Sequence, residues 1–80
     1  MIRLQDGCRR PVDFTKTAIK EALLGDTSFV QYDEGIYITC TEDSDDVSMT
    51  SGERFESVAL KDIDEIIDIF MDEVLRITDQ

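Results

Sequence analysis

Residues 62–78, DIDEIIDIFMDEVLRIT, decide how the rest of the chain must fold. Ile63, Ile66, Ile67, Phe70, Val74 and Ile77 recur at the i, i+3, i+4, i+7 spacing that gathers side chains on one face of a helix. Asp62 precedes the run and Glu65 follows three residues later, a capping-box pattern with Asp as the cap. Asp62, Asp64 and Glu65 load the first turn with negative charge, which suits the positive end of a helix dipole. The opposite face carries Asp64, Asp68 and Asp72 at i, i+4 spacing, with Glu65 and Asp79 beside them and Arg76 as the one cation. One side of this long amphipathic helix must therefore be buried, and the other is a strip of carboxylates.

Upstream of the helix the period changes from helical to alternating. Arg54–Leu60 predicts a strand, but Phe55, Val58 and Leu60 do not share one parity. A bulge or an early helix start near Ser57 is expected. Ser51-Gly52-Glu53 reads as a turn, Val47 and Met49 as a short strand, and EDSDD at 42–46 as a charged turn. Residues 28–42 predict a hairpin turning at Asp33-Glu34-Gly35, with Ile36, Ile38 and Cys40 facing the core. Tyr37, Thr39 and Thr41 take the wet face that an antiparallel sheet allows. Residues 13–24 predict a first helix with Asp13 as N-cap and Gly25 at C′. Ala18, Ile19, Ala22 and Leu23 form its apolar face, and Lys16 and Lys20 an i, i+4 row elsewhere. Residues 2–12 predict a hairpin turning at Asp6-Gly7, with Pro11 confined to an edge.

The order is hairpin, helix, antiparallel meander, helix. It predicts a small two-layer α+β domain spanning residues 1–80, with its helices on one face of the sheet. A chain this short buries only a modest core, so dimerisation would help it. On a helical projection Ile69 falls away from the main apolar stripe and Leu75 lies at its edge. These two are the candidates for a homodimer surface on the long helix.

The charge points to function more than any motif does. There are 19 Asp and Glu against 8 Lys and Arg, with no His, for a net charge of −11. Residues 1–24 hold five cations against three acids, and residues 25–80 three cations against sixteen acids. Direct binding to nucleic acid needs cations against phosphates and is disfavoured. An acidic surface suits a basic partner instead.

Enzyme chemistry lacks its usual parts. Asp43-Ser44-Asp45-Asp46 opens like a calcium loop, but the positions that need Gly and the closing acid hold Ser48 and Arg54. Two distant cysteines and no histidine do not make a zinc site. Cys40 takes a core-facing parity, and Cys8, beside Arg9 and Arg10, is a mild reactivity candidate without a base. The acids fall on expected exposed positions, where paired acid–base roles would not separate. No enzyme activity, cofactor or metal is expected. The first residues, MIRLQDGCRR, contain no apolar run of signal-peptide length, and no stretch is apolar enough to cross a membrane. A cytoplasmic setting with reduced thiols is expected.

Gln5–Asp13, followed by Lys16 and Ala18-Ile19, resembles the opening of the ATP-cone domain of ribonucleotide reductases and their repressors. Asp6-Gly7, Pro11 and Lys16 match that family's spacing over about twenty residues. Leu4-Gln5 stand where the family has a basic pair before the turn, and the helix pattern after Lys16 is out of step. Nucleotide binding is not carried over.

The acidic surface is the remaining candidate. On a helix rising about 1.5 Å per residue, Asp64, Asp68 and Asp72 recur about every 6 Å, a scale similar to that of neighbouring phosphates. Glu65 and Glu73 widen the field, and Glu42, Asp43, Asp45 and Asp46 form a second patch. In size and charge, though in no shared motif, the chain is similar to small acidic phage-encoded inhibitors and nuclease-immunity proteins, and a DNA-mimic or decoy role is expected of its acidic face. The expectation is a non-enzymatic module that blocks a basic surface of a nucleic-acid-binding protein or nuclease. The alternative is a regulatory or assembly protein that dimerises through the C-terminal helix, with Ile69 and Leu75 as candidates, and binds its partner through apolar positions.

Overall fold

The apolar stripe on residues 63–77 is met by one face of a single antiparallel sheet. The computed structural model describes residues 2–32, 35–41 and 45–78. Its strands are β1 (Leu4–Asp6), β2 (Pro11–Val12), β3 (Phe29–Tyr32), β4 (Ile36–Thr41), β5 (Asp46–Ser51) and β6 (Arg54–Ala59). Helix α1 (Lys16–Leu23) lies between β2 and β3, and a 3-10 turn (Leu60–Asp62) leads into α2 (Ile63–Thr78). The strand order is β2-β1-β3-β4-β5-β6, every neighbouring pair antiparallel. The two expected hairpins thus join, because β1 pairs with β3 through Gln5↔Gln31 and Asp6↔Val30.

The period-2 parity decides what is buried. Leu4, Val30, Ile36, Ile38, Val47 and Met49 point from one sheet face into a core closed by Ile19 and Leu23 of α1 and by Ile63, Ile66, Ile67, Phe70 and Val74 of α2. This is the two-layer α+β architecture with both helices on one face. The other face carries Gln31, Tyr37, Thr39, Ser48, Thr50 and Ser57. There the Phe29 and Tyr37 rings stack with centroids 5.6 Å apart.

Four local expectations are corrected. Helix α1 starts at Lys16, not next to Asp13, because extended Thr15 is the N-cap and its Oγ1 accepts the Ala18 N–H at 3.2 Å. Leu24 is its C-cap, followed by Gly25. The first hairpin does not turn on Asp6-Gly7 as a two-residue loop. Asp6 N–H donates to the Arg10 carbonyl across Gly7-Cys8-Arg9, with Arg9 in the left-handed region at φ 65°. That is a three-residue hairpin whose last residue takes the conformation usually given to glycine. Strand β6 carries no bulge and no early helix. Its register with β5 is unbroken from Arg54 to Ala59, and the parity conflict resolves because Phe55 points to the outer face and is exposed. Finally, the chain enters α2 through the 3-10 turn that ends at Asp62, not through an isolated cap there. The Asp33-Glu34 part of the second turn lies outside the described residues.

Gly7 is required by a close approach. A Cβ built on it would lie 2.9 Å from the Thr27 Cβ, inside contact distance. Gly7→Ala is expected to cost about 1–3 kcal/mol by overpacking, read as a lower urea midpoint at unchanged m-value. Gly52, at φ 60°, opens the two-residue β5–β6 turn, where only glycine adopts that angle without strain.

Candidate acidic interface

The candidate acids, together with Asp6, separate into three groups by the elements that hold them. The first group is structural. Glu73 was expected to widen the surface field, but only 3% of it is exposed. Its carboxylate accepts hydrogen bonds from Ser51 Oγ at 3.2 Å, from Arg54 Nη1 at 2.7 Å and from Arg76 Nη2. The Arg76 hydrogen bond, offset by burial and aided by Arg54 and Ser51, holds its pKa below the usual range. Asp6 is likewise buried, accepting the N–H groups of Cys8 at 2.9 Å and Arg10 at 3.0 Å and the Arg10 Nε at 2.8 Å. Burial alone would raise its pKa, but the Arg10 and Cys8 N–H groups and the Arg10 guanidinium outweigh it and the net shift is downward. These two carboxylates shape the fold and are not available to a partner.

Both were detectable in the sequence by position. Glu73 stands seven residues after Ile66, three after Phe70 and four before Ile77, at the margin of the apolar stripe. Asp6 continues the Leu4 parity of β1.

The second group is the row expected to imitate a phosphate ladder. Helix α1 lies alongside α2 in the opposite direction, so its i, i+4 lysine row meets the aspartate row. Lys16 Nζ is 3.3 Å from Asp68 Oδ2, and Lys20 Nζ is 3.3 Å from Asp64 Oδ1. All four side chains keep substantial exposure. Exposed pairs of this kind contribute about 0–1 kcal/mol and remain open to exchange with another cation. The row is nevertheless not bare: two of its three members face the chain's own lysines.

The third group is exposed and has no ion-pair partner among the described residues. Glu65 and Asp72 lie on the outer surface of α2, and Asp45 and Asp46 at the start of β5. Asp46 pairs with Ala59, and the Asp45 carbonyl accepts the Leu60 N–H at 2.7 Å. Residues 60–62 then run straight into α2. The turn acids and the first turn of α2, with Asp62, Asp64 and Glu65, therefore share one end of the molecule, while Asp68 and Asp72 lead away along the helix. Glu42, Asp43 and Asp79 lie outside the described residues.

The two candidates for a helix-mediated dimer part company. Ile69 is partly buried and packs on the core cluster, whereas Leu75 is 47% exposed. Cys8 is exposed, Cys40 is partly buried, and no disulfide joins them. Among the described residues no cluster of three or more His, Cys, Asp or Glu is placed to hold a metal ion. Among the described residues no helix is long and apolar enough to cross a membrane. Comparison with known protein families, with curated proteins and with solved structures finds no match.

Proposed function

We propose that this chain is a non-enzymatic protein-binding module, an inhibitor or decoy that blocks a basic surface of a nucleic-acid-processing protein. The observation that carries the reading is the acidic end of the molecule, where Asp45 and Asp46 meet the first turn of α2. Glu65 and Asp72 extend it as exposed carboxylates without internal cations among the described residues. A predominantly acidic patch, interrupted by Lys61, on a chain of net charge −11 raises the encounter rate with a basic surface and repels nucleic acid. Asp64 and Asp68 take a secondary part, since a partner must first displace Lys20 and Lys16.

The test is competition. A host nucleic-acid-binding protein retained by the chain is loaded with duplex DNA, and displacement is followed at low and at high salt. Paired charge reversal, Glu65→Lys with Asp72→Lys or Asp45→Lys with Asp46→Lys, is expected to slow association about tenfold or more at low salt, the loss shrinking as salt screens it. Reversal at Asp64 and Asp68 is expected to do less. Displacement indifferent to both salt and these reversals would remove the electrostatic reading.

A further inference from the structure

The two edges of the sheet are built differently. At one edge β2 has only two residues, Pro11 and Val12, and Pro11 offers no N–H to an incoming strand. At the other, β6 runs six residues, RFESVA, without proline, and no described strand lies beyond it. The Leu60 N–H donates to the Asp45 carbonyl, toward β5. An antiparallel ladder alternates residue by residue, so Arg54, Glu56 and Val58 also bond to β5. The N–H and C=O groups of Phe55, Ser57 and Ala59 then point outward, away from the sheet. Phe55 is 65% exposed, the most exposed large apolar side chain among the described residues.

We propose that the open edge of β6 docks a second copy of this chain, strand to strand across a twofold axis at Ser57. Three observations select this occupant and this register. First, setting Ser57 against Ser57 pairs Phe55 with Ala59 of the second copy and uses every outward backbone group of the strand. Moving the axis to residue 56 sets Glu56 against Glu56, like charges directly opposite. Moving it to residue 55 leaves Ala59 beyond the Gly52-Glu53 turn of the other copy. Second, the chosen register brings the exposed ring to a shallow, open part of the surface. A cleft of about 530 Å³ lies at the far end of β6, lined by Asp45, Ala59, Leu60 and Lys61. Phe55 of the second copy arrives beside it. Third, β6 is a place where a chain of net charge −11 can meet itself. Its Arg54 and Glu56 are paired at 3.4 Å, and Ser48, Thr50 and Ser57 keep the adjoining outer face uncharged as far as Asp46, which stands opposite Ala59 at its end. The twofold also sends the two acidic ends in opposite directions. The inference is independent of the inhibitor reading, and it places the dimer contact on β6, away from Ile69 and Leu75.

Sedimentation velocity of the full chain over a wide concentration range tests it. A monomer–dimer equilibrium is expected, shifted toward dimer by added salt as repulsion is screened. Phe55→Lys abolishes the dimer. So does Ser57→Pro, which removes an outward N–H and no bond to β5; far-UV circular dichroism checks its fold, and Phe55→Lys carries the test if that variant unfolds. Leu75→Lys leaves the dimer intact. The register has its own readout: in a Cys8→Ser background, Ser57→Cys forms an intermolecular disulfide, because residues opposite each other at a hydrogen-bonded position lie about 5.5 Å apart at Cα, within disulfide reach. A monomer at every concentration overturns the proposal. So does a dimer lost in Leu75→Lys but kept in Phe55→Lys, or one in which Ser57→Cys does not cross-link.

Discussion

Phe70→Ala is expected to cost about 3–5 kcal/mol, the range for removing a buried aromatic ring from a core. Phe70 is fully buried and sits midway along α2, under the centre of the helix. Its removal leaves a cavity in the core that Ile66, Ile67 and Val74 share with it. An 80-residue domain has total stability of about 4–12 kcal/mol, so the loss removes about a quarter of it or more. Urea denaturation at 25 °C should show a much lower midpoint with an unchanged m-value. Leu24→Ala is the control: Leu24 is 57% exposed, and its change should stay within about 0.5 kcal/mol. A Phe70→Ala cost below about 1 kcal/mol would mean that α2 is not seated on the sheet, and the two-layer fold would fail with it.

The elements legible in the sequence are those written in local periodicity. The stripe from Ile63 to Ile77 announces a helix with one buried face, and the alternation of Ile36, Ile38, Val47 and Met49 announces which strand faces turn inward. What the sequence conceals is long-range. Lys16 and Lys20 form an i, i+4 row, and Asp64 and Asp68 form another. Their meeting depends on α1 lying beside α2 in the opposite direction, which no local pattern states. That single fact changes the candidate site, moving its weight from Asp64 and Asp68 to Glu65, Asp72, Asp45 and Asp46. The junction of the two hairpins through β1 and β3 is hidden for the same reason. Phe55 is a different case. Its parity was legible, but a large apolar side chain is ordinarily assigned to the core, and the assumption created an apparent bulge where the ladder is regular. The exposure of that ring is what motivates the proposal of β6 as a docking edge.

Glu73→Gln is expected to cost about 1–3 kcal/mol at neutral pH, as for a buried acceptor that loses charge-assisted hydrogen bonds. The cost stays below that of breaking a fully buried ion pair, because Arg54 and Arg76 keep about half or more of their side chains in water and can be solvated when released. The substitution reaches three elements at once: Ser51 at the end of β5, Arg54 at the start of β6 and Arg76 in the last turn of α2. Its pH dependence separates the charge from the shape. Glu73 is held below the usual carboxylate range in the folded chain, so the unfolded chain takes up its proton first as the pH falls. The stabilisation from the ionised group is complete above the unfolded value, about 4.3, and drains away as the pH drops through the folded value. The stability gap between the parent and Glu73→Gln should therefore be constant from pH 7 to about pH 5 and narrow in more acid solution, where both side chains are neutral. Asp6, also shifted downward, adds to the acid loss of the parent but cancels from the gap. Thermal melts of the two proteins across that range measure the gap directly. A gap that stays the same down to pH 3 would show that Glu73 acts by its shape and neutral hydrogen bonds, and that its charge contributes nothing to joining β5, β6 and α2.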